Sequence, residues 1–252
     1  MLSVVTPSLN QGRFIEDALD SVLKQPGEVE HIVVDGGSTD ETASVLARYP
    51  RVRVLRDPGI GQSHAVNIGL RAARGELIGW LNADDRYVAG VFDSVRAAFD
   101  ANPNAGIVYG NARFVDERTG TTDVPRLGPF DRELLLSGVC RIAQPAAFIR
   151  RSLFDQVGLL DESLKLAMDF EFWLRASDVA SLVWVDEVWA DFRIHPDSKT
   201  GAGYRQFWPE RRGVSRAYGG PFFSTDLRQE IEVRLRTLAG MVRHRRWSSP
   251  PR

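Results

Sequence analysis

The chain has 252 residues, 43% hydrophobic and 26% charged, a composition that is typical of a globular protein and excludes a fibrous or disordered chain. Its single cysteine, Cys140, excludes an internal disulfide and a cysteine-based zinc site, as expected for a reducing cytoplasm. The formal net charge is −1, and we expect no nucleic-acid partner.

No apolar run approaches the roughly 18–20 residues that a membrane span requires. The first residues enter a strand directly, without the pattern of a signal peptide. The sequence therefore predicts a cytoplasmic protein that does not span a membrane.

Short apolar runs alternate with amphipathic segments through the first hundred residues. The runs are continuous, as expected for strands that are covered on both faces, and the segments between them keep helical spacing. This alternation predicts an α/β fold built on a parallel sheet, with helices on both faces. The predicted strands are 2–6, closed by Pro7, then 31–35, 52–55 and the run within 75–83; the predicted helices are 14–23, one capped by Ser38 or Thr39, 62–73 and 89–101.

The second half of the chain has shorter and less regular elements. A loop rich in Gly, Thr and Pro is predicted at 117–130, and a strongly patterned helix at 168–177. Beyond Gly203 the pattern is helical and basic. The other predicted elements are strands at 106–109 and 112–115, a short helix at 132–137, an edge-like strand at 144–149, a helix from Arg151, and a final strand pair at 181–186 and 188–194.

Polar residues follow each of the four predicted parallel strands. They are residues 7–10, Asp35, Asp57 and the pair Asp84 and Asp85. Ligands of open α/β sheets bind beyond the carboxyl ends of the strands, so we expect these residues to converge on one edge. The sequence therefore predicts a polar ligand site there.

Two adjacent carboxylates, Asp84 and Asp85, end the fourth strand. Like charges side by side cost energy unless a cation or hydrogen-bond donors offset them. Mg²⁺ or Mn²⁺ suits such a site, because proteins hold these ions with one or two carboxylates while substrate phosphates supply further ligands. The alternative is a polar turn without a metal.

Four short motifs occur in order: Pro-Ser-Leu-Asn at 7–10, Asp-Gly-Gly-Ser-Thr-Asp at 35–40, Asn-Ala-Asp-Asp at 82–85, and Met-Asp-Phe-Glu-Phe-Trp-Leu-Arg at 168–175. In this order the chain resembles the family 2 glycosyltransferases, in particular the bacterial polysaccharide and O-antigen branch. The resemblance covers about residues 2–200. It implies the GT-A fold, with a Rossmann-like, mostly parallel sheet and flanking helices. We expect a domain over 1–200, with a nucleotide-sugar half at 1–110 and an acceptor half at 111–200, followed by a basic helical extension at 201–252.

The resemblance also implies roles for the donor site. Asp35 would hydrogen-bond the nucleobase, Asp84 would contact the ribose or sugar, and Asp85 would bind a divalent metal, Mg²⁺ or Mn²⁺. For Asp35 a simple turn residue is the alternative. The full set of expected nucleotide-sugar ligands is Pro7, Ser8, Asn10, Asp35, Asp57, Gln62, Asn67 and Asp84.

Asp169 matches the general base of the family, which would deprotonate the acceptor hydroxyl. The alternative is a helix N-cap, a position that Asp favours. His195 would complete the metal site, unless it is merely a polar loop residue. The expected acceptor contacts are Gln144, Glu171, Trp173 and Arg175, although Glu171 and Arg175 stand at i,i+4 and could instead form an ion pair.

Three positions depart from the family pattern. Asn82 replaces the first acid of an Asp-x-Asp motif, so fewer charges would face the metal. Val66 replaces an arginine that could contact phosphate. Met168 replaces the glutamate of a Glu-Asp pair, which lowers the expected acidity around Asp169.

These features predict an inverting, metal-dependent glycosyltransferase that moves a sugar from a nucleoside diphosphate, preferably UDP, to a hydroxyl of a glycan or lipid-linked glycan. A non-catalytic nucleotide-sugar-binding protein on the same fold is the alternative. An NAD-dependent oxidoreductase is disfavoured because no Gly-x-Gly-x-x-Gly follows the first strand.

The extension at 201–252 holds 11 arginines, no lysine and four acids, a net charge of +7, while the other 200 residues carry −8. Trp247 and an apolar stripe along a basic helix favour either packing on the domain or peripheral contact with an anionic membrane at its inner face. The stripe consists of Val233, Leu235, Leu238, Met241 and Val242.

Overall fold

The computed structural model describes residues 1–59, 61–201 and 203–221. The strands in these ranges are β1 (Leu2–Ser8), β2 (Val29–Asp35), β3 (Arg53–Arg56), β4 (Leu77–Trp80), β5 (Arg86–Tyr87), β6 (Ala105–Asp116), β7 (Thr122–Asp123), β8 (Ala147–Arg150) and β9 (Ser181–Ile194). The α-helices are α1 (Gly12–Leu23), α2 (Thr42–Leu46), α3 (Gln62–Ala72), α4 (Val91–Ala101), α5 (Arg132–Leu136), α6 (Arg151–Val157), α7 (Met168–Ser177) and α8 (Trp208–Ala217). Two short 3₁₀ helices are Gln144–Ala146 and Tyr204–Phe207.

The strands form one mixed sheet in the order β3-β2-β1-β4-β8-β6-β9-β5, with β7 beside β6. β1 pairs in parallel with β2 and β4, and β2 with β3, so the predicted parallel sheet is confirmed. β1 continues past its predicted end, and Pro7 lies opposite Val34. Pro7 fits there because the pairing of β4 with β1 ends at Val5, so the missing N–H of Pro7 interrupts no ladder on that side.

The second half of the sheet differs from the prediction. β8 is not an edge strand but lies between β4 and β6, antiparallel to both. β6 and β9 are each one continuous strand, and they pair in parallel with register shifts near Tyr109 and Asn111. The sequence predicts two separate strands, 106–109 and 112–115, where the structure has one strand with bulges between them. Gly110 permits the close approach, since a Cβ on it would lie 2.6 Å from Cγ of Trp189.

Both faces of the sheet are covered. Val4 belongs to the buried cluster that contains Phe92 and Phe148, whereas its neighbour Val5 belongs to the cluster that contains Trp173. The first cluster includes residues of α1 and α4, and the second includes residues of α3 and α7. Successive strand residues point to opposite faces, which explains the continuous apolar runs. Burial of each large side chain contributes about 1.5–3 kcal/mol.

The described part of the basic extension packs on the rest of the chain. Ser215 Oγ of α8 donates to Leu136 O at the end of α5 (2.5 Å), and Tyr218 Oη donates to Glu171 Oε1 of α7 (2.6 Å). The predicted domain boundary at residue 200 stays a prediction, and the apolar stripe at 233–242 and Trp247 lie outside the described residues. No helix in the described ranges has the length and hydropathy needed to cross a bilayer.

Candidate active site

The carboxyl ends of the parallel strands meet at one edge, as predicted. Gly36 N donates to Ser8 O (2.8 Å), and Asp57 N donates to Asp35 O (2.9 Å), which joins the ends of β1, β2 and β3. Leu81 N donates to Val5 O and joins the end of β4 to β1. The polar residues that follow these strands therefore share one side of the molecule.

Asp35 is buried at the end of β2. Its Oδ1 accepts from the backbone N–H of Ser38 (3.1 Å) and from its hydroxyl (2.5 Å), and Oδ2 lies 4.0 Å from Nε of Arg56. Ser38 therefore donates its hydrogen bonds to Asp35 and does not begin a helix. The prediction that Ser38 or Thr39 caps a helix is wrong. The helix begins later, at Thr42, whose N–H donates to Asp40 Oδ1 (3.0 Å).

The loop after β1 is tied to the loop after β2. Asn10 has a left-handed backbone (φ 53°), which Asn tolerates better than most residues. Its N–H donates to Ser38 Oγ (2.8 Å), and its Oδ1 accepts from Thr39 N–H (2.9 Å). The buried hydroxyl of Ser8 has no hydrogen-bond partner among the described residues. Asp57 Oδ1 accepts from Gly59 N–H (2.9 Å) in the neighbouring loop.

Asn82 joins four groups at the end of β4. Its Oδ1 accepts from Gln62 Nε2 (2.7 Å) and Trp80 Nε1 (3.0 Å), and its Nδ2 donates to Gln144 Oε1 (3.0 Å) and Asp85 Oδ2 (3.3 Å). A carboxylate at this position could accept the first two hydrogen bonds but could not donate the other two. The departure from the Asp-x-Asp pattern thus suits its surroundings.

Asp85, the metal ligand that the resemblance implies, is only 2% exposed, so its carboxylate is buried. Its Oδ1 accepts from the backbone N–H of Arg193 on β9 (2.9 Å). Burial raises the pKa of Asp85 well above its usual value, and the charge of Asp84 adds to this effect. The hydrogen bonds from Arg193 and Asn82 oppose the increase in pKa only in part.

The side chain of Asp84 is 20% exposed, unlike that of the buried Asp85. Its Oδ2 lies 3.1 Å from Nε2 of His195, which is itself buried against the ring of Phe14 (centroids 4.4 Å apart). Nδ1 of His195 finds no hydrogen-bond partner in the described part of the chain. The described residues contain no group of three or more metal-ligating side chains, so this pair offers two protein ligands at most.

Asp169 is the second residue of α7. Its Oδ1 accepts from Phe170 N–H (2.8 Å). Burial raises the pKa of Asp169, although the Phe170 N–H and the charges of Arg211 and Lys199 counteract this. The result is a carboxylate that holds a proton more strongly than an exposed one, a property that suits a general base.

Lys199 is a site residue that the sequence did not identify. Its Nζ donates to Gln62 Oε1 and to Lys165 O, both at 2.6 Å. Removal from water lowers the pKa of Lys199, while the carboxylates of Asp169, Glu210 and Asp84 raise it. Lys199 thus places an ammonium group within the electrostatic reach of both Asp84 and Asp169. Only its place four residues after His195 offers a sequence signal for it.

Asn67, predicted to bind the donor, is buried and holds a neighbouring turn. Its Nδ2 donates to Leu160 O (2.9 Å), and its Oδ1 accepts from Leu160 N–H (3.0 Å). Gln62, also predicted to bind the donor, connects Lys199 to Asn82. The buried Asn67 therefore holds this turn, whereas the donor role of the partly exposed Gln62 stays a prediction.

The four predicted acceptor contacts have internal partners. Trp173 is 1% exposed and lies in the core, so an acceptor cannot reach it in this structure. Glu171 and Arg175 form the ion pair that the sequence left as an alternative (2.7 Å). Gln144 is buried, and its Nε2 donates to Trp80 O. The core position of Trp173 does not agree with its predicted role, and the acceptor roles of Gln144, Glu171 and Arg175 stay predictions.

The raised pKa of Asp85 gives a testable pH dependence. An unfolded aspartate has a pKa of about 3.9, so the folded state binds this proton more tightly and the free energy of unfolding falls as pH rises from about 4 through the folded pKa. Asp85→Asn removes this contribution. We expect the Tm of this variant relative to the parent to increase between pH 4 and 8 in EDTA, measured by calorimetry. The exposed Asp100→Asn is the control, and a pH-independent difference for Asp85→Asn would contradict the assignment.

Solved structures share this fold. TarS 1-349 from S. aureus in complex with UDP superposes with a TM-score of 0.67 at 21% identity, over 86% of this chain and 64% of that one. The mannosyltransferase PcManGT from Pyrobaculum calidifontis, in complex with GDP-Man and Mn²⁺, gives 0.62 at 21% identity, over 91% and 68% of the two chains. The fold is therefore that of a GT-A glycosyltransferase domain, as the sequence predicted.

The sequence comparisons identify the family. Residues 3–158 match the model of Glycosyl transferase family 2, and the chain belongs to this family. The uncharacterized glycosyltransferase EpsJ of Bacillus subtilis is 30% identical over 81% of this chain, and the PGL/p-HBAD biosynthesis glycosyltransferase of Mycobacterium tuberculosis is 32% identical over 73%. The matched regions cover 64% of EpsJ and 72% of the mycobacterial protein.

Proposed function

We propose that this chain transfers a sugar from a nucleoside diphosphate, with inversion at the anomeric carbon, to a hydroxyl of a glycan or lipid-linked glycan. The observation that carries the proposal is the arrangement of Asp35, the pair Asp84 and His195, and Asp169 around the strand-end edge and α7. In this arrangement Asp35 would contact the nucleobase, Asp84 and His195 would lie at the diphosphate, and Asp169 would be the base for the acceptor hydroxyl. The transferase names of the relatives support the same class of reaction.

The nucleobase would bind between the loops after β1 and β2. The carboxylate of Asp35 would accept a hydrogen bond from a ring N–H, and the unpaired hydroxyl of Ser8 would face the nucleotide. Pro7, Asn10 and Asp57 would shape the same pocket. We propose a UDP-sugar as the donor because TarS was solved with UDP and with UDP-GlcNAc. PcManGT was solved with GDP-Man.

The diphosphate would lie near Asp84 and His195. One carboxylate and one imidazole nitrogen, 3.1 Å apart, fit Mg²⁺ or Mn²⁺ as two protein ligands, since substrate phosphates and water complete such sites. When bound, the ion offsets the charge that develops on the leaving diphosphate. Asp85, which the sequence predicted as the direct ligand, would act behind this pair by fixing the Arg193 backbone two residues before His195.

Asp169 would act as the general base. Its carboxylate removes the proton from the acceptor hydroxyl while the acceptor oxygen forms a bond to the anomeric carbon. The bond from that carbon to the diphosphate oxygen breaks on the opposite face, and the nucleoside diphosphate leaves with the bonding electrons. Lys199 supplies positive charge nearby, which favours the ionised form of Asp169 before the reaction.

A non-catalytic nucleotide-sugar-binding protein is the second candidate, since a retained donor pocket would support it equally well. Asp169 favours the enzyme, because burial raises its pKa and carboxylates with perturbed pKa values cluster at functional sites, where a general base needs such a pKa.

A panel of nucleotides tests the donor site. We expect UDP and at least one UDP-sugar, added with Mn²⁺, to raise the Tm, and a ligand at 100 times its Kd contributes about 2.7 kcal/mol to the free energy of unfolding. NAD⁺ is the control and should give no shift. No shift with any UDP or GDP compound would contradict the proposed donor class.

A further inference from the structure

The four residues that precede α7, the 164–167 segment, are held by side chains from two helices and a loop. Ser63 Oγ of α3 donates to Leu164 O (3.0 Å), and Lys199 Nζ donates to Lys165 O (2.6 Å). The N–H groups that follow are bound by Glu210 of α8. The segment leads directly to Asp169, so its position sets where that carboxylate lies.

Glu210 accepts three hydrogen bonds from consecutive backbone N–H groups. Its Oε1 accepts from Lys165 (2.9 Å), and its Oε2 accepts from Leu166 and Ala167 (both 2.6 Å). Ala167 is the N-cap residue of α7, where the helix dipole favours a negative charge. Hydrogen bonds to an ionised acceptor are roughly twice as strong as neutral ones, so this carboxylate makes three strong contacts with the segment.

α8 holds Glu210 firmly. Trp208 and Val214 of α8 are buried, and the hydroxyl of Ser215 donates a hydrogen bond to the end of α5. Arg211, the next residue after Glu210, places its guanidinium carbon 4.9 Å from the ring centre of Phe170. Met168, at the position of the family glutamate, is buried in the core, so the carboxylate that binds the N–H groups before α7 comes from α8.

We propose that Glu210 is a positioning residue for the base: its carboxylate fixes the 164–167 segment and thereby the direction of the Asp169 side chain. This inference rests on the proposed function of Asp169. A displacement of about 1 Å at a reacting group can cost on the order of 10²-fold in rate. Glu210 would therefore affect turnover without contact with donor or acceptor.

The test is Glu210→Gln, which keeps the shape but turns an NH₂ group towards the backbone N–H groups. Release of UDP from UDP-GlcNAc in Mn²⁺ is measured, with water as the acceptor. We expect kcat to fall about 10- to 100-fold, while the Kd for UDP stays within about twofold. The exposed Glu133→Gln on α5 is the matched control and should retain the parent kcat.

A double variant separates positioning from a general structural effect. If Glu210 acts through Asp169, Glu210→Gln causes no further loss of turnover in an Asp169→Asn background. Equal fold losses in both backgrounds, or a kcat of Glu210→Gln within twofold of the parent, would overturn the proposal.

Hydrogen exchange supplies a readout that needs no turnover. The amides of residues 165–167 should exchange at least about tenfold faster in Glu210→Gln than in the parent, with no change in Glu133→Gln. Unchanged exchange would overturn the proposed contact whatever the activity. A parent that is inactive with every UDP- and GDP-sugar tested, with and without glycan acceptors, but shows the faster exchange in Glu210→Gln would contradict the proposed function and still support the contact of Glu210 with the segment.

Discussion

Asp169→Asn is expected to lower kcat by about 10²–10⁴-fold, the usual contribution of a general base. The Kd for UDP should stay within about twofold, because a base acts in the transition state and contributes little to nucleotide binding in the ground state. The asparagine retains an oxygen that can accept from Phe170 N–H, so the start of α7 is preserved. Rates of UDP release and calorimetric titration with UDP give the two quantities.

The control for this substitution is Asp155→Asn on α6, which removes an exposed carboxylate outside the site. Its kcat should equal that of the parent. Activity of Asp169→Asn within tenfold of the parent would show that another group removes the acceptor proton.

The second large effect is expected for Asp84→Asn. We expect Mn²⁺ to strengthen UDP binding to the parent, and this variant to lose at least about tenfold of that gain, because a neutral amide is a poor ligand for a hard cation. Its fold should persist, because the Asp84 side chain is partly exposed and its partner is the one imidazole of His195. Calorimetric titration with UDP, in Mn²⁺ and in EDTA, measures the difference.

Asp85→Asn is the matched comparison, since it changes the adjacent carboxylate in the same way. The proposal predicts a smaller effect on the Mn²⁺-dependent affinity from this variant than from Asp84→Asn. The reverse order would return the role of direct metal ligand to Asp85, as the sequence motif alone predicts.

The local pattern predicted the first half of the fold because each element carries its own signal. The apolar runs of β1, β2 and β4 are continuous, and the helices between them keep their spacing. Pairing between distant segments has no such signal. The edge-like strand predicted at 144–149 is instead a short 3₁₀ helix, Gln144–Ala146, followed by β8 in the middle of the sheet.

The candidate site shows the same division. The position of the carboxylate pair at the end of β4 followed from the sequence. Contacts more than 100 residues away decide which of the two carboxylates is buried. The N–H of Arg193 on β9 binds Asp85, and His195, the residue after β9, contacts Asp84. The sequence around Glu210 indicates only an acid in the first turn of a basic helix. Its role was not predictable, because its three partners lie over 40 residues away.

Release of UDP from UDP-GlcNAc by the parent protein tests the proposed activity most directly. In Mn²⁺ we expect several equivalents of UDP per protein molecule. EDTA should abolish the release, and Asp169→Asn should reduce it by at least about 10²-fold. Tight binding of UDP and UDP-GlcNAc with no release in Mn²⁺, even with added glycan acceptors, would contradict an enzyme and favour a nucleotide-sugar-binding protein.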